Sequence, residues 1–317
     1  MRIGLLGASA IAPNAVIKPA AKRDDITVTA VAARDPDRAR GYTVDHGIPA
    51  VSVDYAALVA RDDVDLVYCA LPPAAHVDAV RLALDAGKPV LLEKPFAMDA
   101  DDARTIAAMA DEAGLPVIEA FHYRFHPLFQ HAIDLVADGT IGPVSSAIAT
   151  FNVAIADRPD QLRWDPRLGG GAMMDLGCYG VHALRSLLQG EPDVVAAHGE
   201  FRRGVDARLS AALDFRGVPA TVNCSMTSGP ECWLELSGRD GSIHFRHFVA
   251  PHHGGEIVIE TAASRRVKVA ATEPTTYDAQ LDHIVRVLRG DATPVTGGVD
   301  AIANMVAIDA CRAMARG

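Results

Sequence analysis

The sequence predicts an α/β protein: a parallel, doubly wound sheet, then an α+β domain with an open, mainly antiparallel sheet. Three observations carry that prediction. Over the first 120 residues, short apolar runs alternate with helical patterns, the signature of βαβ units. Gly47, Gly87 and Gly114 each follow a periodic segment, where a helix ends. After Gly142-Pro143 the alternation gives way to successive strand-like runs.

In order, strands are expected over residues 2–6, 26–33, 50–53, 65–71, 89–93 and 116–120, with helices over 10–23, 37–46, 55–61, 75–86 and 99–113. A longer strand over 144–156 leads to a glycine-led helix from Gly169. Strands then follow over 194–203, 207–215, 220–226, 232–237, 242–248, 256–260 and 266–269, with Arg239-Asp240-Gly241 as a hairpin turn. Helices over 277–289 and 299–315 close the chain. A length of 317 residues fits two domains, expected at 1–120 and 121–317.

Composition narrows the function. Against 30 basic residues stand 40 acidic ones, a net charge of −10, and only 5% of the chain is aromatic, so nucleic acid is excluded as a partner. No apolar run reaches the ~20 residues of a membrane span, and the start is too short and glycine-rich for a signal-peptide core. Five cysteines without a C-x-x-C spacing read as reduced and mostly buried. The expectation is a cytoplasmic protein that makes no contact with membranes.

The first strand runs into Gly7-Ala8-Ser9-Ala10-Ile11-Ala12, where a dinucleotide fold needs a tight turn and a helix N-terminus aimed at phosphate. Gly7 supplies the turn. Ser9 and Ala12 stand where the pattern has its second and third glycines, and the Ser9 hydroxyl can donate to a phosphate oxygen. The second strand ends Ala33-Arg34-Asp35. Ala33 cannot hold a ribose 2′-hydroxyl, whereas Arg34 and Arg38 can pair with a 2′-phosphate, so NADP(H) is favoured. Asp35 leaves NAD(H) open, and both arginines could instead pair with Asp35 or Asp37.

Two further stretches carry chemistry. The fifth strand ends Leu92-Glu93-Lys94-Pro95, at the end of a parallel sheet where ligands sit; a lysine there can bond a hydroxyl or lower a neighbouring acid's pKa. In LGGGAMMDLGCYGVHALR, residues 168–185, Asp175, Tyr179 and His182 fall at i, i+4 and i+7. Such a polar but not solubilising stripe reads as a cavity wall. Cys178 and His182 have a nucleophile–base spacing, for which packing is the better reading because no oxyanion hole accompanies them. The pairs His122/His126, His244/His247 and His252/His253 lack acidic companions, and no metal is expected.

Glu93-Lys94-Pro95 followed by GGGAMMDLGCY some 80 residues on resembles the glucose–fructose oxidoreductase / inositol dehydrogenase / MocA family over essentially the whole chain. The resemblance implies an N-terminal Rossmann domain that binds NADP(H) and a C-terminal α+β domain for substrate and oligomerisation. It implies Lys94 as catalytic lysine, Glu93 beside the nicotinamide ribose, and Leu71, Pro72 and His76 in the loop around the nicotinamide end. Asp175 matches the family's helix aspartate. The inositol dehydrogenase branch has histidine four residues on, whereas this chain has Tyr179, which places it nearer the sugar-oxidoreductase and dihydrodiol-dehydrogenase-like branch. His122 and Tyr123 fall in the segment joining the domains, and Arg163 and Trp164 are expected at the substrate, although Trp164 also suits a core. His182 is either a second substrate contact or a satisfied core histidine. A cis Lys94–Pro95 bond is expected.

The three glycines would let the backbone pass close to cofactor and substrate, and the helix would present Asp175 and Tyr179 to the cleft between domains. The expected function is NADP(H)-dependent hydride transfer at a CH–OH group of a sugar, polyol or cyclic diol, with Tyr179 as acid/base assisted by Lys94. The alternative is a regulator of the same fold that binds NADP(H) without turnover. Pairing of subunits through the C-terminal sheet, giving a homodimer or higher homo-oligomer, is implied by resemblance.

Overall fold

The computed structural model describes residues 1–158 and 160–317. It divides into two compact units, Met1–Phe121 with Gln280–Ile302, and His122–Ala279 with Ala303–Gly317.

The first unit holds a six-stranded parallel sheet of β1 (Arg2–Leu6), β2 (Thr27–Ala32), β3 (Ala50–Val51), β4 (Leu66–Cys69), β5 (Val90–Leu92) and β6 (Val117–Glu119), in the order β3-β2-β1-β4-β5-β6. The order reverses at β1, so β1 and β4 diverge at the topological switch point where such sheets take ligands. The central strands are buried on both faces, which explains their unbroken apolar runs. Helices α1 (Lys18–Ala21), α2 (Pro36–His46), α3 (Tyr55–Val59), α4 (His76–Asp85) and α5 (Ala100–Ala113) connect the strands. Their ends follow local chemistry. Asp35, Asp54 and Asp99 accept backbone N–H groups as caps, and Gly47 and Gly114 close α2 and α5 in the left-handed conformation. The expected first helix is not one α-helix: Pro13–Ile17 forms a wider π turn before α1.

Residues 280–302 lie in the part of the sequence expected to form the second domain, yet they pack with the first unit. Thr296 Oγ1 donates to Glu119 O at 2.7 Å, and Arg23 and Arg289 bond Asp282 and Asp25 at 3.0 and 2.9 Å. These are long-range contacts that no local pattern encodes.

The second unit is built on an eight-stranded sheet of β7 (Val144–Asn152), β8 (Asp193–Arg202), β9 (Val205–Phe215), β10 (Val218–Ser225), β11 (Glu231–Gly238), β12 (Gly241–Arg246), β13 (Glu256–Thr261) and β14 (Arg265–Val269). The order is β14-β13-β12-β11-β7-β10-β9-β8, antiparallel except for the parallel pair β7–β10. Along β9, Ala207, Leu209, Ala211 and Leu213 are buried while Arg208, Ser210 and Ala212 are exposed, so one face carries the core. That face is covered by α7 (Cys178–Leu188) and α6 (Pro127–Ala137). At Gly180 a Cβ would stand 3.0 Å from Val222 and 3.3 Å from Ala149, so this glycine lets α7 lie close on the sheet. The sequence reading lacks α6. It is capped by the His126 side chain, an uncommon cap, although Pro127 at its first turn and the spacing of Leu128, Phe129, Ala132 and Leu135 are helical signals. Helices α8 (Thr276–Leu288) and α9 (Gly298–Met314) run on from the sheet.

Candidate functional site

In the first unit the predicted residues gather at the carboxyl ends of β1, β2, β4 and β5. Gly7 has φ +102°, and a Cβ there would meet Ala70 O and Leu71 Cδ2 at 3.2 Å, so the turn admits only glycine without strain. Gly7 N–H donates to Ala32 O at 2.8 Å, and Ser9 Oγ accepts the Ala12 N–H at 3.2 Å, leaving the hydroxyl proton to donate elsewhere. Among the described residues, the Ala10 and Ile11 N–H groups meet no acceptor. These donors open the helical turn that begins at Pro13 and fit a phosphate.

The β2 tip resolves the open question about Asp35. Its carboxylate is engaged with the Asp37 and Arg38 N–H groups at 2.9 and 3.3 Å, as the cap of α2. Arg38 Nη2 donates to Ala8 O at 2.7 Å, which ties the guanidinium to the phosphate turn. Arg34 is exposed and makes no ion pair among the described residues. The acid that could hold a ribose hydroxyl is therefore occupied, while the basic groups stand at the tip.

At the end of β5, Glu93 Oε1 accepts the Tyr68 hydroxyl at 2.6 Å, and Glu93 Oε2 accepts the Lys94 N–H at 3.3 Å. The Lys94–Pro95 bond is cis, as the resemblance implied. Pro72 leads the short turn Pro73–Ala75 after β4. His76 is fully buried, with Nε2 at 2.9 Å from Leu71 O and Nδ1 at 3.0 Å from Phe96 O. It ties the loop after β4 to the loop after β5. Burial lowers its pKa, so a neutral ring donates to one of the two carbonyls.

In the second unit, the glycines pack closely on this chain's own atoms. Gly169, at φ +85°, closes the turn Pro166–Leu168. A Cβ on Gly170 would stand 2.6 Å from Arg163 O and 2.9 Å from Asp165 O, and one on Gly171 would collide with Asp206 Oδ1. The close approach is to this chain's own backbone at Gly170 and to the Asp206 side chain at Gly171. Gly170 N–H donates to Asp165 O and Gly171 N–H to Arg163 O, both at 3.0 Å. The helix that follows is a π turn over Met173–Gly177 before α7, with Cys178 N–H reaching back to Met173 O. Asp206 Oδ2 accepts the Met173 N–H at 2.6 Å at the start of that turn. Sequence reasoning missed Asp206, whose only signal was an acid between the buried Val205 and Ala207 of β9.

Asp175 is mostly buried and bonds Arg163 Nε at 2.6 Å, which brings two predicted residues together. Tyr179 is 6% exposed, and its hydroxyl lies 3.4 Å from His122 Nε2. The Tyr179 ring packs on Phe151 and Tyr123 at 5.6 and 5.7 Å. Tyr123 is fully buried and pairs through its hydroxyl with His182 Nδ1 at 2.6 Å. His182 is itself 1% exposed, so of the two readings the structure places it as a core histidine bonded to Tyr123. Trp164 is 3% exposed, and its indole N–H is buried without an acceptor among the described residues. Cys178 is buried against Asp175 O. Among the described residues, no group of three or more His, Cys, Asp or Glu is placed to hold a metal, and no helix is long and apolar enough to cross a membrane.

Comparison with known proteins fixes the lineage. Residues 1–121 match the family described as an oxidoreductase family with an NAD-binding Rossmann fold, and residues 129–244 match its GFO/IDH/MocA C-terminal domain. The chain belongs to the Gfo/Idh/MocA oxidoreductase family. One similar Gfo/Idh/MocA protein is D-xylose 1-dehydrogenase (NADP(+)) 2 of Haloferax volcanii, 35% identical over 98% of this chain and 96% of the relative. Another is the trans-1,2-dihydrobenzene-1,2-diol dehydrogenase of Xenopus laevis, 35% identical over 71% of this chain and 68% of the relative. A solved 3-ketoreductase from Actinomadura kijaniata, in complex with NADP and TDP-benzene, superposes with a TM-score of 0.91 at 28% identity, covering 99% of this chain and 97% of that one. The solved forms of that reductase include a tyrosine-to-phenylalanine and a lysine-to-alanine mutant. This Gfo/Idh/MocA member is an NAD(P)-dependent oxidoreductase, and the alternative of a non-catalytic regulator falls with that finding.

Proposed function

We propose that this chain is an NADP(H)-dependent dehydrogenase or reductase acting on a CH–OH carbon of a sugar, polyol or cyclic diol, with Tyr179 as acid/base and Lys94 assisting it. What carries the reading is full-length kinship with an NADP-dependent D-xylose dehydrogenase, joined to a β2 tip whose acid is engaged and whose arginines are available. Gly7, Ser9, Ala10, Ile11 and Ala12 would hold the pyrophosphate, Arg34 and Arg38 the 2′-phosphate, and Leu71, Pro72 and Glu93 the nicotinamide end, with His76 behind them. Bound NADP supplies a carbon that accepts or returns a hydride.

The protein's own task is the proton. As the substrate carbon gives up its hydride, the hydroxyl proton moves to the Tyr179 oxygen; in reduction it moves back. A phenol with an ordinary pKa near ~10 is a poor base at neutral pH, and the Lys94 ammonium would favour its ionised form. Asp175, held by Arg163, would orient a substrate hydroxyl, and His122, Tyr123 and Trp164 would shape the substrate side, with His182 behind Tyr123. Self-association through the open face of the second sheet accompanies this reading, and sedimentation at several concentrations tests it.

The test of the chemistry is incubation with NADP and a panel of aldoses, polyols and dihydrodiols, following the reduced cofactor. Tyr179→Phe is expected to lower turnover by ~10²-fold or more on the substrate so found. A variant as fast as the parent removes Tyr179 from the role.

A further inference from the structure

His122 occupies a position that lining the substrate side does not by itself explain. It opens the short turn His122–Phe125 and is 5% exposed. Nε2 faces the Tyr179 hydroxyl at 3.4 Å, while Nδ1 lies 2.8 Å from Thr276 Oγ1. The ring lies on Tyr277 at 4.1 Å and an angle of 33°, which fixes its plane. Thr276 is fully buried and donates its own N–H to His252 Nδ1 at 3.3 Å. A phenol, an imidazole and a hydroxyl thus stand in line, the arrangement in which a third group sets the tautomer of a base.

Resting on the reading of Tyr179 as acid/base, we propose that His122 is a proton relay behind it, a positioning residue acting through the phenol. With Nδ1–H donated to Thr276 Oγ1, Nε2 presents its lone pair to the phenol. As Tyr179 ionises beside Lys94, its phenolic O–H bond breaks and an Nε2–H bond forms; the phenolate oxygen then takes the substrate's hydroxyl proton. The imidazolium keeps that proton until product leaves. In reduction the same proton returns to Tyr179 as the phenol protonates the alkoxide oxygen. A separation of 3.4 Å is long for a hydrogen bond and suits a partner that closes as the phenol gains charge. The titratable and charged groups around His122 are Tyr179 and His182 of α7, Tyr123, Arg124 and His126 beside it in the chain, Tyr277 and Asp278 of α8, and His252.

Two measurements test the relay. In the cofactor-free protein, nitrogen-15 chemical shifts of His122, assigned by loss in His122→Gln, are expected to report the Nδ1–H tautomer; the Nε2–H tautomer overturns the proposal. With NADP and D-xylose, wild-type turnover is expected to fall as acid protonates the His122 ring and removes its Nε2 lone pair. His122→Gln should lose that limb, run about tenfold or more slower at neutral pH, and converge on wild type in alkali, where hydroxide takes the proton. Thr276→Val should shift the tautomer mixture toward Nε2–H and slow turnover by a smaller factor. A His122→Gln profile of wild-type shape, alongside an inactive Tyr179→Phe, overturns the relay alone. A fully active Tyr179→Phe overturns the relay together with the reading beneath it.

Discussion

Gly170→Ala tests whether the glycine run is there for this chain's own backbone. The residue's φ is unexceptional, so the penalty is purely steric. A methyl would stand 2.6 Å from Arg163 O, 2.8 Å from Arg163 C and 2.9 Å from Asp165 O. All three are backbone atoms, so no side-chain rotation relieves the clash. Relief needs a backbone shift of about half an ångström or more, of the kind that costs ~1–3 kcal/mol in a packed region. The shift also stretches the Gly170 N–H to Asp165 O and Gly171 N–H to Arg163 O bonds, each worth ~1 kcal/mol. The expected loss is ~2–4 kcal/mol. The assay is convenient because the protein's two tryptophans, Trp164 and Trp233, both lie in the second unit, so fluorescence during urea unfolding reports on that unit. Gly41→Ala is the opposite case. No atom lies within 4 Å of its Cβ position in α2, and alanine should stabilise that helix by ~0.5–1 kcal/mol, read from amide exchange. Gly170→Ala within about 0.5 kcal/mol of wild type would refute the reasoning.

Three further outcomes are expected. Replacing Arg34 and Arg38 by serine should weaken NADP binding by at least about tenfold for each charge-assisted bond lost and leave NAD binding nearly unchanged; calorimetry showing equal losses for both would reject the 2′-phosphate assignment. Burial raises the Asp206 pKa above 3.8, so ionising it costs the folded state more than the unfolded one, and wild-type stability falls as pH rises from 3.8 through the native value. Asp206→Asn keeps an oxygen for the Met173 N–H but does not ionise, so its stability relative to wild type should climb over that window; urea midpoints that track wild type at every pH would contradict this. Burial pushes Cys69, Cys232 and Cys311 up to about 12 and raises Cys224 well above the usual thiol value, so the native protein should leave these four thiols unlabelled by an alkylating reagent at pH 8 until denatured, as mass spectrometry can check.

Much of this molecule was legible in the chain because its signals are local. Gly47 and Gly114 announce helix ends, and Arg2–Leu6 is a strand to the residue. What stayed hidden depends on partners far away in sequence. Arg38 reaching Ala8 O, Tyr68 capping Glu93, and Thr276 behind His122 are separated by 30, 25 and 154 positions, and no periodicity reports them. The glycine run shows the difference within one motif. Its need for close approach was readable, whereas what it approaches, Arg163, Asp165 and Asp206, was not. Helix α6 stayed hidden for another reason, since an imidazole cap lies outside the usual vocabulary of helix starts.

The widened turn over Met173–Gly177 decouples two orientations along what would otherwise be a rigid rod. Within it, Asp175 is aimed by Arg163; beyond it, Tyr179 and His182 are aimed by the aromatic packing on Tyr123. Deleting Leu176 would straighten the rod and swing the upstream carboxylate about 100° around the axis while the downstream rings kept their seats. A single codon thus sets the angle between an acid and a phenol, a dial that lineages sharing this scaffold could turn without rebuilding the sheet beneath.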